Sequence, residues 1–97
     1  MDVSDWRSRI DEIDCRLLEL LNERVKCVLE LSPLKRQAGI PILSPKRERD
    51  VIERLKKLSE GQLSNEAIER IFTLIMGEMR AVQEREREGN PVTSQTE

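Results

Sequence analysis

Residues 6–34 read WRSRIDEIDCRLLELLNERVKCVLELSPL, and the spacing of the apolar residues within them decides the fold. Trp6, Ile10, Ile13, Leu17, Leu20, Arg24, Cys27, Leu31 and Leu34 follow one another in steps of four and three, a heptad seam along one helix face. Ser4 is the N-cap candidate. A helix from Asp5 to about Leu31 would be roughly 40 Å long at 1.5 Å per residue. A compact globule of 97 residues has a radius of gyration of only about 12–13 Å. One such helix outruns its own domain, so its apolar stripe needs cover from elsewhere. A second copy of the chain is the simplest supply.

Ser32-Pro33 interrupts the seam, because proline removes a backbone donor and disfavours helix at the residue before it. The helix either kinks there or restarts with Ser32 as cap and Pro33 at the first helical position. In both cases Leu34 to Gln37 stay helical and Gly39 ends the run. Ile40 to Leu43 form a short extended connector. Ser44-Pro45 opens a second helix in the order cap then proline, with Val51, Ile52, Leu55 and Leu58 on its apolar face and Gly61 at its end. Ser64 caps a third helix carrying Ile68, Ile71, Phe72, Ile75, Met76, Met79 and Val82 at helical spacing. Glu84 to Glu88 alternate in charge, as a solvated last turn would. The pattern predicts an all-α chain of three helices, a domain over residues 1–88, and a disordered tail or linker stub over 89–97.

Composition excludes much else. Aromatics are 2% of the chain, against an all-β fold, while charged and apolar residues each make up 37%, as in long helices. There is no His, which removes the commonest general base and the commonest metal ligand together. Seventeen basic residues against 19 acidic ones leave a net charge of −2, so no nucleic-acid footprint is expected. Apolar runs are too short to span a bilayer. Met1 to Asp5 carry neither the basic nor the apolar part of a secretory signal. Cys15 and Cys27 are separated by roughly 18 Å of helix rise and cannot bond to each other. Two free thiols suit a cytoplasmic protein.

Four polar residues stand where core is expected. Arg24 occupies a seam position, where a guanidinium must pair with a carboxylate, snorkel to solvent, or take an external anion. Lys35 lies eleven residues on, within about 20° of the same face if the helix runs through Pro33. Two cations on one apolar face make a better anion site than either alone. Glu48 falls, with Arg47, near the start of the second helix, where the dipole is reason enough for it, yet it shares a face with Ile52 and Leu55. Gln83 ends the stripe Phe72, Met76, Met79, either as its polar edge or as a group facing inward. Arg7 has the pattern of any surface arginine.

Taken together, Trp6 to Asp14, Leu17-Leu18 and Leu20 to Arg24 resemble the opening helix of the all-helical chorismate mutases, with Lys35 at that family's spacing after the arginine. Gly39 to Ile42 and Pro45 to Arg49 resemble its connector and second-helix start, and Leu63 to Gln83 its third helix. The resemblance covers about residues 5–85 and implies an intertwined homodimeric helical bundle. It implies rearrangement of chorismate to prephenate, in phenylalanine and tyrosine biosynthesis, without cofactor or metal. Arg7 and Arg24 would bind the two substrate carboxylates, Lys35 and Gln83 would donate to the ether oxygen, Glu48 would take the ring hydroxyl, and Arg47 would support the site. Ser44 stands where the family often has an Asp that caps the second helix and touches substrate, and Met79 where a polar residue is common. Arg7 lies roughly 25 Å along the helix from Arg24, so it would complete the partner chain's site. Such domains also occur fused to prephenate dehydratase. Two rival expectations are isochorismate-pyruvate lyase, which shares the fold, and a non-catalytic helical dimerisation module in which Arg24 and Glu48 pair with each other.

Overall fold

The first helix, α1, runs unbroken from Val3 to Ala38, 36 residues. The computed structural model describes residues 1–89, so the tail expected over 89–97 lies, from residue 90 onward, outside the described residues. Helix α2 spans Pro45–Leu58 and α3 spans Asn65–Arg87. Among the described residues all regular structure is helical, as the seam and the caps predict. The radius of gyration is 16.8 Å and the longest dimension 51 Å, so α1 sets the size of the molecule.

The caps explain the boundaries, with corrections to the sequence reading. Asp2, not Ser4, caps α1. Its Oδ1 accepts from the Asp5 N–H at 3.0 Å while Asp5 Oδ2 accepts from the Asp2 N–H at 2.9 Å, a reciprocal capping box. At the other end Gly39 takes φ 72°, and the N–H groups of Gly39 and Ile40 close on the carbonyls of Arg36 and Lys35. That pair of bonds requires a left-handed residue at Gly39. Ser44 Oγ accepts from the Arg47 N–H and Ser64 Oγ from the Ala67 N–H. Helix α2 stops at Leu58, with Ser59 as its cap, before Gly61 is reached.

The continuity of α1 through Pro33 is the main outcome that periodicity left open. A proline inside a helix costs about 3 kcal/mol or more, and the offset comes from α3. Ser32 is fully buried. Its hydroxyl donates to Glu86 Oε1 at 3.0 Å and accepts from Arg87 Nε at 3.4 Å, while its carbonyl accepts from Arg87 Nη2 at 3.2 Å. Arg36, one turn on, pairs with Glu86 at 3.1 Å. The expected solvated turn from Glu84 to Glu88 is therefore in part a clamp: Glu86 and Arg87 grip α1 on both sides of the proline.

Helix α3 is the element on which both others pack. Val51, Ile52 and Met76 form the core, with Leu55 and Phe72 against them. Lys56 of α2 reaches Glu69 of α3 at 2.8 Å. The core is small because α1 contributes only Ser32 to the buried set. Trp6, Ile10, Ile13, Leu17 and Leu20 are each about half exposed, so the heptad seam has no cover within one chain. Cys15 and Cys27 are free and exposed. Among the described residues no helix is long and apolar enough to cross a membrane.

The clamp has a pH signature. The Arg36 guanidinium, and after it the Ser32 hydroxyl, hold the Glu86 carboxyl below its ordinary range. A carboxyl depressed in the folded state stabilises above its unfolded pKa of about 4.3, and that stability is lost as pH falls through the lower folded value. Glu86→Gln is expected to lose less stability than wild type between pH 7 and pH 3, measured by urea unfolding at fixed protein concentration. Equal acid sensitivity in the two proteins would show that the clamp's charge is not linked to folding.

Candidate active site

Where α1, α2 and α3 converge they enclose an open cavity of about 410 Å³. Its charge is lopsided: Arg24, Lys35, Arg47, Arg54 and Arg80 face it against the single carboxylate of Glu48. The remaining wall includes Val28, Leu31, Val51, Met76 and Met79. In a chain whose net charge is −2, this is a local concentration of positive charge over an apolar surface. Such a cavity suits a small, multiply anionic molecule with an apolar body. Among the described residues no group of three His, Cys, Asp or Glu side chains is placed to hold a metal ion.

Arg24 and Lys35 reach the same cavity because α1 does not break between them. Eleven residues at 100° each return to nearly the same face, three turns on. Arg24 makes no ion pair among the described residues, so its charge is available. Lys35 is anchored: its Nζ donates to the Ile42 carbonyl and to Gln83 Oε1, each at 3.2 Å, which leaves a third hydrogen. Burial, and then the nearby Arg87 charge, lower the Lys35 pKa, with Glu48 partly opposing them.

Gln83 is buried, 5% exposed, and faces inward rather than forming the polar edge of its stripe. Its Oε1 accepts from Lys35, and its Nε2 makes one long bond, 3.5 Å, to the Met79 carbonyl. Glu48 also points inward from the first turn of α2, where its carboxylate pairs with Arg80 of α3. The pairing of Glu48 with Arg24 expected for a non-catalytic module is thus absent, and Arg80 takes that place. Ser44 and Arg47 line the cavity from the start of α2, Ser44 also serving as cap. Arg7 does not line it: it is exposed on the protruding part of α1.

Arg54 and Arg80 escaped the sequence reading although the signal was there. Arg47, Val51 and Arg54 sit at i, i+4 and i+7 of α2, and Met76, Arg80 and Gln83 at i, i+4 and i+7 of α3. Following the face of each polar residue one more turn would have found both.

Residues 6–84 match the family chorismate mutase type II. The chorismate mutase of Methanocaldococcus jannaschii is 34% identical over 82 residues, covering 84% of this chain and 83% of that protein. The bifunctional chorismate mutase/prephenate dehydratase of Aquifex aeolicus is 34% identical over 79 residues, covering 77% of this chain but 22% of that protein. Among solved structures, chorismate mutase from Thermus thermophilus superposes with a TM-score of 0.83 at 29% identity, covering 86% of this chain and 94% of that one. The Helicobacter pylori chorismate mutase in complex with prephenate gives a TM-score of 0.80 at 29% identity, covering 86% and 90%. With the seam, the serine caps of α2 and α3 and the cationic cavity all falling inside the matched segment, the chain belongs to the chorismate mutase type II family.

Proposed function

We propose that this chain converts chorismate to prephenate in the cavity between its three helices, as a single catalytic domain over residues 1–88. The observation that carries the reading is the set of five cations around an apolar pocket with one carboxylate, in a member of this family. The reaction is a [3,3] rearrangement in which one C–O bond breaks as one C–C bond forms. It needs no proton transfer and no covalent partner, so a chain without His is at no disadvantage. It needs a dianion held in a reactive chair and stabilisation of the negative charge that grows on the ether oxygen.

Each requirement has a residue to meet it. Arg24 binds one carboxylate and Arg7 of a second copy binds the other, with Arg47 and Ser44 supporting the substrate from the start of α2. Glu48 accepts the ring hydroxyl. Lys35 and Gln83 donate to the ether oxygen, and their mutual hydrogen bond, with that of Lys35 to Ile42, fixes the ammonium before substrate arrives. The preorganised donor then needs no reorientation during reaction. The intertwined homodimer is supported by the uncovered half-exposed seam of α1 and by a core of only five buried apolar side chains among the described residues. The exposed unbonded thiols fit a cytoplasmic setting.

Turnover of chorismate by the purified protein, followed by loss of its enol-ether absorbance, tests the reading. Prephenate is the expected product, and Lys35→Ala should lower kcat by at least about 10²–10³-fold, roughly 3–4 kcal/mol. Because the Lys35 pKa is lowered and its charged form is the active one, turnover should decline on the alkaline side before the ordinary lysine range is reached. Pyruvate release from isochorismate without chorismate turnover would assign a lyase instead.

A second test addresses the shared site. The protein should sediment as a dimer, and Arg7→Ala and Arg24→Ala should each be nearly inactive. Refolding the two variants together should restore activity, because a heterodimer then holds one site with both lesions and one with neither. No recovery in demonstrated heterodimers would place both arginines in the site of one chain.

A third test uses Gln83→Glu. An ionised carboxylate there repels charge developing on the ether oxygen and neutralises Lys35, whereas a protonated one can still donate. This variant should gain activity as pH falls, a rise absent in wild type because Gln does not titrate. Equal activity of the variant at pH 8 and pH 5 would remove Gln83 from the reacting atoms.

A further inference from the structure

Arg80, like Arg54, is a cavity cation to which neither helical spacing nor family resemblance assigned a part. It leaves α3 one turn before Gln83, and its Nη1 donates to Oε2 of Glu48, joining α3 to the first turn of α2. The two side chains are 30% and 23% exposed, so the pair is largely withdrawn from water. Its Nη2 passes over Gly77, at 3.6 Å from where a Cβ on that residue would stand, so the guanidinium lies across the helix surface toward Glu48. Among the described residues Oε1 of Glu48 receives no hydrogen bond, and Arg24, across the cavity, makes no ion pair.

This arrangement answers a problem posed by the cavity's own charge. A flexible carboxylate among five cations can fold onto any of them, and would then compete with an anionic substrate for the groups meant to bind it. Tying one oxygen of Glu48 to Arg80 prevents that collapse. It leaves Arg24 and Lys35 to the substrate's carboxylates and ether oxygen, and it leaves Oε1 as an acceptor of fixed direction. We propose that Arg80 is a positioning residue that orients Glu48 toward the substrate's ring hydroxyl and keeps Glu48 off the anion-binding cations. The proposal rests on the mutase reading given above.

A double-mutant cycle tests it. Arg80→Met keeps the aliphatic stem and removes the charge. In the otherwise wild-type protein this change should lower kcat/KM by roughly ten- to a hundredfold, with KM rising as Glu48 turns onto the released cations. In a Glu48→Ala background the same change should alter kcat/KM by less than about threefold, because the group it positions is gone. Arg80→Lys, which keeps a donor, should recover part of the loss. A structural role for Arg80 would instead give the same factor in both backgrounds, as would direct binding of a substrate carboxylate, and either result overturns the proposal. If Arg80→Met does not fold, Arg80→Lys is carried through the same cycle and the same comparison decides. Wild-type protein that does not turn over chorismate would overturn the mutase reading and this assignment together. Turnover with losses that multiply independently would overturn the assignment alone.

Discussion

The grip of α3 on α1 around Pro33 is the interaction on which the rest depends. A proline at that point would ordinarily end or bend the helix, and Lys35 would leave the face that Arg24 occupies. Ser32, buried and bonded to Glu86 and Arg87, holds the segment straight. The same contacts set the height of α3 against α1, and with it the meeting of Gln83 and Lys35. The site is therefore assembled by a structural contact one helical turn away from Lys35 and Gln83.

The cavity also shows what a binding site costs a small protein. Lys35 has its charged form disfavoured by burial and by the neighbouring Arg87, and five cations line one pocket with a single carboxylate against them. Each of these arrangements is unfavourable in the empty molecule and becomes favourable once an anion fills the space. The apolar core beneath, Val51, Ile52 and Met76 with Leu55 and Phe72, is small for that burden. Association through the α1 seam would supply the missing burial, so oligomerisation and catalysis would draw on the same helix.

Much of this was legible in the sequence, and the gaps have physical causes. The three helices, their serine caps at Ser44 and Ser64 and the left-handed stop at Gly39 follow from local chemistry that acts within one turn. Arg24, Lys35, Glu48 and Gln83 stood out because polar groups on apolar faces need a reason, and all four face the cavity. What local pattern could not decide was the behaviour of Ser32-Pro33, since the contacts that keep it helical come from residues 54 and 55 positions away. The same limit hid the pairing of Arg80 with Glu48 on another helix, although the place of Arg80 on the face of Met76 and Gln83 was legible. It also made Glu86 and Arg87 look solvated. Asp2 was passed over because Ser4 is an equally good cap by type, and only the reciprocal bond to Asp5 separates them.

The rigidity of α1 has a consequence for how such a chain can change length. Arg24 and Lys35 share a face because eleven residues of unbroken helix separate them. One residue inserted between them would advance Lys35 by 1.5 Å and rotate it by about 100°, out of the cavity altogether. Seven would restore the face to within about 20° but move the lysine roughly 10 Å along the axis. The segment is thus closed to length variation of any size. The connector at residues 59–64 obeys no such phase and lines no part of the cavity, so that is where insertions and deletions can accumulate without disturbing the chemistry, whereas residues 39–44 carry the Ile42 carbonyl that holds Lys35.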